Sequence, residues 1–318
     1  MRPRILVTPG DPRGIGPEVA LRALDALVDG EGAVLAADLL LVGPDGLVSR
    51  DDFSLLVADA RRGATDASAG QVAAASIERA VEIAVGGGAH AIVTAPLHKP
   101  SLHAAGWRVP GQTEMLQALT AAPRVGMLMA AEETRLGPPL RVLLATTHIP
   151  LADVPSAVTE ELLRTQLVLL DTSLKRDWGL AEPRIALCGM NPHASDGGLF
   201  GREEIEVFAP ALALAREDGV MAQGPFPADT VFGRALAGEF DAVVVPYHDV
   251  GMAAFKTVSF GSGVNVTIGL PFVRTSPDHG TAFDIAGTGR ASPTSMIEAI
   301  RLARTLARNR FDTDSAAP

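Results

Sequence analysis

Three histidines in this chain each follow a short apolar run. Arg141–Thr147 (RVLLATT) runs straight into His148, Arg184–Cys188 (RIALC) leads through Gly189-Met190-Asn191-Pro192 to His193, and Ala242–Val245 (AVVV) passes Pro246 and Tyr247 to His248 and Asp249. Runs of this length and composition read as strands buried on both faces. Positions so far apart in sequence can meet only if their strands lie side by side in one sheet, with the histidines beyond the carboxyl ends, where open α/β sheets place their ligands. Taken alone, His248 reads as a hydrogen-bonded loop histidine. With His148 and His193 in matching positions, the three read as a candidate metal site. Neutral imidazoles suit zinc, cobalt, nickel or iron better than magnesium, and three ligands leave positions open for a substrate.

The rest of the chain alternates in the same way. Ile5–Thr8, Leu39–Val42, Ala91–Ala95 and Val125–Met129 read as further strands. Helical spacing appears after Pro17 (Val19, Ala20, Leu24, Leu27), in the Ala-rich Gln71–Val85 that Gly86-Gly87-Gly88 ends, and in Val158–Leu174. It recurs in Arg202–Glu217, where Pro210 is expected to kink the helix, and in Thr230–Leu236 and Ser295–Leu306. Asp51–Gly70 reads as polar and irregular, and Asn309–Pro318 as frayed. Strands alternating with helices imply an α/β fold with a largely parallel sheet and helices on both faces. We expect two α/β/α lobes, residues 1–122 with 290–318, and 123–289 carrying the three histidines.

A net charge of −10 argues against a general nucleic-acid or acidic-membrane surface, so an anionic ligand needs a local cluster of basic groups. The single cysteine, Cys188, lies inside an expected strand and reads as a buried, inert thiol suited to a reducing compartment. The apolar stretch before Pro9-Gly10-Asp11-Pro12 is too short for a signal peptide, and no stretch approaches the length of a membrane span. A soluble, cytoplasmic protein is expected.

Several residues carry two readings. The loop Pro9–Pro17 (PGDPRGIGP) can offer backbone N–H groups to an anion or be a tight structural turn. His98 and Lys99, after the strand Ala91–Ala95, face either a cleft or solvent. Asp229 is a natural helix cap or a carboxylate beside the metal, and Thr113 is a possible cap. Lys256 follows His248 on what reads as the same loop. Ser276–Pro293 (SPDHGTAFDIAGTGRASP) is crowded with small residues that let a backbone approach a ligand closely, with Asp284 among them.

Within that stretch HGTAFDIAGTG resembles the HGSAPDIAGKG loop of isopropylmalate dehydrogenases, which wraps the adenosine half of NAD. A wider set of motifs resembles the 4-hydroxythreonine-4-phosphate dehydrogenase family of vitamin B6 biosynthesis. It comprises GDPRGIGPE (Gly10–Glu18), TAPLHK (Thr94–Lys99), TTHIPL (Thr146–Leu151), NPHAS (Asn191–Ser195), PADT (Pro227–Thr230), YHDVG (Tyr247–Gly251) and GVNVTIGLPFVRTSPDHGTAFDIAG (Gly263–Gly287). These span nearly the whole chain in family order.

The resemblance implies an isopropylmalate dehydrogenase-like fold and an NAD- and divalent-metal-dependent oxidation of 4-phosphohydroxy-L-threonine, whose 3-oxo product loses CO2. It implies His148, His193 and His248 as ligands of one Zn, Co or Mg ion per site. His279, Gly280, Thr281, Asp284, Ala286 and Gly287 are implied around NAD, and Gln112, Thr113, Lys256, Asn265 and Arg274 around the substrate. It further implies a homodimer whose active site takes residues from both subunits. Lys99, Asp229 and Asp249 are the candidate general bases. One position departs: the family reads GHTE where this chain has Gly111-Gln112-Thr113-Glu114. Gln donates a hydrogen bond but cannot become a cation, which leaves open related substrates such as other four-carbon hydroxy acid phosphates or dihydrodiol dicarboxylates. A metal-dependent hydrolase is the reading from another class, and the nucleotide-type loop argues against it.

Overall fold

The computed structural model describes residues 2–31, 38–61, 63–259 and 261–312. The chain divides into two compact units, Met1–Arg124 with Leu270–Pro318, and Val125–Gly269.

In the first unit β1 (Ile5–Thr8) leads into the helix Gly16–Glu31, and β2 (Leu39–Gly43) turns back into β3 (Gly46–Val48). The helices Arg50–Arg61 and Asp66–Val85 precede β4 (Ala91–Thr94), and the short helices Lys99–Ala104 and Gln112–Thr120 follow it. β1 pairs in parallel with β2 and β4, while β3 closes one edge antiparallel to β2. β1 and β4 are buried at every residue, as strands covered on both faces must be. The helix Asp66–Val85 packs on β1, β2 and β4 through an alanine-rich stripe that includes Ala73, Ile77 and Ala80. Thr65 starts it by accepting the N–H of Ser68 at 3.2 Å.

The second unit holds β5 (Gly126–Ala131), β6 (Leu140–Leu144), β7 (Ile185–Cys188), β8 (Ala222–Phe226), β9 (Ala242–Val245) and β10 (Val264–Ile268), in the spatial order β10-β5-β6-β9-β7-β8. β9 lies between β6 and β7 and is parallel to both, with Val142 opposite Val243 and Ile185 opposite Ala242. The three strands that precede the histidines are therefore neighbours, and their carboxyl ends emerge at one edge. β5 runs antiparallel to β6 and β10. Helices Ala228–Leu236 and His248–Ser259 cover this region, burying Val231, Ala235 and Phe255 against Val142, Val243 and Val245. The chain then returns to the first unit as β11 (Val273–Pro277), parallel to β4, with the closing helix Thr294–Phe311 packed on β11, β4 and β1.

Several expectations are corrected. The division expected at residues 289/290 falls at 269/270, because β11 pairs with β4 and carries the following loop into the first unit. Asp51–Gly70 is not irregular: it holds all but the first residue of the helix Arg50–Arg61 and the start of the next, with Phe53 and Val57 buried one turn apart. At Pro210 the helix is not simply kinked. A π turn, Glu204–Phe208, runs directly into the α-helix Ala209–Glu217, and the proline stands just after that turn, where the missing N–H falls beside the change in helical pitch. The closing helix extends through Asn309–Phe311; the remainder of the expected frayed tail, from residue 313, lies outside the described residues. No helix among the described residues is long and apolar enough to cross a membrane.

Candidate active site

Of the three histidines, the second unit brings two together. His148 and His248 have ring centroids 5.9 Å apart, and both line a cavity of about 250 Å³ with Thr147, Ile149, Leu151, Val154, Tyr247 and Asp249. His248 does not sit in a loop, as the sequence implies, but opens the helix His248–Ser259, and its Nδ1 lies 2.7 Å from Asp249 Oδ1. A carboxylate there holds the proton on Nδ1 and directs the Nε2 lone pair outward, the arrangement that metal-binding imidazoles use. Lys256 belongs to the same helix, just over two turns further on, and is exposed.

His193 does not join the pair. It begins a left-handed turn in which His193, Ala194, Ser195 and Asp196 all have φ between 46° and 68°, and its ring faces Phe200 at 6.4 Å. Left-handed backbone costs a non-glycine residue about 1–2 kcal/mol, so something must hold the turn. Glu204, buried in the π turn, accepts the backbone N–H groups of Met190 (2.8 Å) and Asn191 (2.7 Å) and the Asn191 amide (2.9 Å). Among the described residues no three His, Cys, Asp or Glu side chains converge as a metal site. One chain thus presents two imidazoles of the expected three.

The first unit carries a buried cation. Arg274, on β11, is 3% exposed. Its Nη2 donates to Thr94 Oγ1 at 2.6 Å and to Gln112 Oε1 at 2.9 Å, and Gln112 Nε2 donates in turn to the carbonyl of Ala95 at 3.0 Å. Burial pushes the Arg274 guanidinium down to about 10, with the charge of Glu114 pulling the other way. It is still a cation at neutral pH, poorly solvated and suited to an anion. Thr113 is the second residue of the helix Gln112–Thr120 and not its cap; Gly111 occupies that position. In the second unit Asn265, on β10, has a buried Oδ1 that meets no hydrogen-bond donor among the described residues.

The glycine-rich loop after β11 is fastened by the N-terminal motif. Ile15 donates its N–H to the Thr281 carbonyl at 2.9 Å, Glu18 accepts the N–H of Gly287 at 2.7 Å, and Arg22 donates to the carbonyls of Gly289 and Ala291. A side chain at Gly14 would place its Cβ 2.7 Å from the Thr281 carbonyl, so only glycine permits this approach. The loop Pro9–Pro17 and the start of the helix after it therefore clasp the loop after β11, a contact that neither of its two readings includes. His98 faces neither open cleft nor bare solvent: its Nδ1 is 2.9 Å from Ser101 Oγ and its ring meets Phe283 edge-on. These clasp residues, Arg13 and Phe283 included, were missed from sequence because they meet only in space.

The sequence profile of the family described as pyridoxal phosphate biosynthetic protein PdxA matches residues 34–303. The chain belongs to the PdxA family. A 4-hydroxythreonine-4-phosphate dehydrogenase of Burkholderia vietnamiensis (strain G4 / LMG 22486) is 47% identical to it over 324 residues, 96% of this chain and 97% of the relative. The crystal structure of a 4-hydroxythreonine-4-phosphate dehydrogenase from Klebsiella pneumoniae is 38% identical, with a TM-score of 0.81 over 96% of this chain and 99% of that one. A β-decarboxylating dehydrogenase from Thermococcus kodakarensis, 16% identical with a TM-score of 0.51 over 94% and 81% of the two chains, shares the fold alone. The α/β fold expected from the resemblance is thus the fold of the PdxA family and of more distant dehydrogenases. The family's named relatives make this chain one of a group of dehydrogenases in pyridoxal phosphate biosynthesis.

The remaining PdxA positions lie as follows. Lys99 opens the helix Lys99–Ala104, exposed and beside Gly111. Asp229 is exposed in the first turn of Ala228–Leu236, with Pro227 and not Asp229 at the cap. In the loop, Gly280, Asp284 and Gly287 are exposed and Thr281 and Ala286 half-buried. His279 has its Nδ1 3.0 Å from the Gly280 carbonyl and a buried Nε2 that meets no protein partner among the described residues. A buried ring nitrogen left over in this way fits a loop built to receive a polar ligand.

Proposed function

We propose that this chain is a metal- and NAD-dependent dehydrogenase that oxidises 4-phosphohydroxy-L-threonine to a 3-oxo acid, which loses CO2 to give 3-amino-2-oxopropyl phosphate. The observation that carries this reading is the near-full-length likeness to 4-hydroxythreonine-4-phosphate dehydrogenases. Arg274 supports it as the buried cation that a chain of net charge −10 needs to hold a phosphate. Thr113, Lys256 and Asn265 are proposed as further substrate-binding positions, and His279, Gly280, Thr281, Asp284, Ala286 and Gly287 as the NAD loop. Asp284 would accept hydrogen bonds from the ribose hydroxyls and repel a 2′-phosphate, which favours NAD over NADP.

His148 and His248 would hold the divalent ion, and imidazole donors favour zinc or cobalt over magnesium. When bound, the metal lowers the pKa of the substrate hydroxyl and polarises the developing carbonyl, and NAD accepts the hydride. His193 fits the third ligand position if the active site is shared between two copies of the chain, so a homodimer is part of the proposal. Asp249 sets the tautomer of His248, which leaves Lys99 and Asp229 as the candidates to take the hydroxyl proton. The enzyme would work in the cytoplasm, where Cys188 stays reduced. The test is an NADH-absorbance assay of the purified protein with 4-phosphohydroxy-L-threonine and a series of divalent metals. Turnover is expected with zinc or cobalt, and no turnover with any metal would refute the reading.

A further inference from the structure

We infer that His98 is a positioning residue for the loop after β11: pinned by Ser101, its ring holds Phe283 and so fixes the left-handed step at Ala282 that sets the place of Asp284. For its link to the cofactor, the inference rests on the proposed reading of that loop as the NAD site.

The orientation of His98 follows from counting at one hydroxyl. Ser101 is fully buried, and its Oγ meets Arg13 Nη2 at 2.7 Å, Asp11 Oδ2 at 2.9 Å, His98 Nδ1 at 2.9 Å and Asp66 Oδ1 at 3.4 Å. A hydroxyl has one hydrogen and two lone pairs. The guanidinium can only donate, so it takes one lone pair. The carboxylates can only accept, so the hydrogen goes to them, with Asp11 the nearer. One lone pair is left for His98, whose Nδ1 therefore carries a proton and donates it. A ring flipped by half a turn would set a C–H against the hydroxyl, so a single orientation is imposed.

Held in this way, the His98 ring meets Phe283 edge-on, with centroids 5.1 Å apart and planes at 82°. Arg13, bound to the same hydroxyl, lies over the same phenyl ring. Phe283 needs these partners, because 41% of it is exposed and burial alone anchors it weakly. The backbone around it also needs holding. Ala282 has φ 41° and ψ 57°, the left-handed region that a residue with a Cβ avoids. Phe283 follows directly and opens the turn Phe283–Ile285, with Asp284 at its centre. The anchored ring thus stands between a costly backbone step and the carboxylate whose place depends on it. Arg13 and Ser101 also serve the buried Asp11, but the His98 side chain makes no other hydrogen bond among the described residues and is one-third exposed, so holding Phe283 is what its ring does.

The test uses the full-length protein in four forms beside wild type: His98→Gln, His98→Phe, Phe283→Ala, and His98→Gln combined with Phe283→Ala. Amide exchange across residues 281–287 of the ligand-free protein reports the loop, and titration calorimetry reports the dissociation constant of NAD. His98→Gln keeps a donor for Ser101 but has no ring. It should speed exchange in the loop and raise the NAD constant about two- to tenfold, the worth of one edge-on ring pair, with the Tm near wild type. In the Phe283→Ala background the same change should add nothing, since the ring it holds is gone. His98→Phe restores a ring at the position and should recover part of both losses. Wild-type loop exchange in His98→Gln would overturn the inference. So would His98→Phe no better than His98→Gln, or a loss of NAD affinity that persists in full beside Phe283→Ala, because His98 would then touch the ligand itself. Wild-type protein that binds no NAD would refute the cofactor reading of the loop instead, and the exchange rates alone would then decide the role of His98.

Discussion

Arg13 lies over the ring of Phe283, 5.4 Å from its centroid, and the same guanidinium pairs with the fully buried Asp11 at 2.9 Å. The contact joins the loop after β1 to the loop after β11, and the two sides of Arg13 do different work. Its pairing with Asp11 is structural, because removing one partner of a buried pair leaves an uncompensated charge that costs about 3–5 kcal/mol. Its contact with Phe283 is worth on the order of 1 kcal/mol and holds only the loop. Arg13→Ala should therefore lower the Tm by on the order of 10 °C. Phe283→Ala should leave the Tm near wild type, speed amide exchange across residues 281–287 and, if the loop takes NAD as proposed, weaken NAD binding several-fold by titration calorimetry. Equal melting losses in the two variants would show that this division of roles is wrong.

Cys188 should be inert in the folded protein. It lies at the end of β7, burial pushes its thiol up to about 12, and the charge of Glu204 adds to the effect. With no thiolate and no access, a disulfide reagent at mild alkaline pH has nothing to attack. Native protein should react at the rate of global unfolding, and denatured protein should release one equivalent at once. Rapid labelling of the native state would place Cys188 in a more open setting than the fold gives it.

His90 predicts a pH dependence of stability. It is half-buried, its Nδ1 accepts the backbone N–H of Arg4 at 2.9 Å, and its ring meets Phe311 edge-on. Burial, and then the charge of Arg4, hold its pKa below the ordinary histidine value. The folded state thus binds the proton less readily than the unfolded chain, whose imidazole titrates near about 6.5. The stability this confers is fully present above that value and is lost as pH falls through it toward the lower folded pKa. Urea midpoints of wild type should drop from about pH 7.5 to about pH 5 by more than those of His90→Gln, which keeps an acceptor for Arg4 but has no proton to take up. Parallel curves for the two proteins would remove His90 from the account.

What the sequence showed and hid follows from how local each signal is. The placement of His148 and His248 at neighbouring strand ends was legible because buried strands are short, apolar and abruptly ended, and the observed pairing of β6 with β9 needs nothing more. The helix that begins at His248 reads from sequence as a loop, because the chain turns polar just past the buried strand. In the fold a Cβ on Gly251 would come within 2.8 Å of Leu144 and Val245, so glycine is what lets the helix lie on its strands. Asp51–Gly70 hid its helices behind many polar residues, although the spacing of Phe53 and Val57 carried the signal. His193 was beyond reach: its direction depends on a left-handed turn of four ordinary residues held by Glu204, and no residue type announces that. Gln112 was recognised as a departure from the family motif, but its engagement with Arg274 depends on β11 lying beside β4, a pairing that only the fold reveals.

The metal reading gives the last prediction, and it turns on Asp249. That side chain is 89% exposed, yet it lies 2.7 Å from His248 Nδ1. Its exposure argues against a role in packing and makes its substitution cheap in stability. If His248 presents Nε2 to a divalent ion, Asp249→Asn weakens the hydrogen bond that fixes the tautomer and orientation of the ring, and loss of such an outer partner costs about 10–100-fold in metal affinity. Equilibrium dialysis with Co(II), read by its visible absorption, should show that loss at unchanged Tm, and His248→Ala should lose tight binding altogether. His148→Ala should match His248→Ala, since the two rings face each other at 5.9 Å. The cobalt spectrum of Asp249→Asn should keep the wild-type shape at saturation, because the ligands themselves are unaltered. Cobalt affinity indifferent to all three substitutions would show that these imidazoles do not hold a metal, and the dehydrogenase would then have to activate its substrate hydroxyl elsewhere.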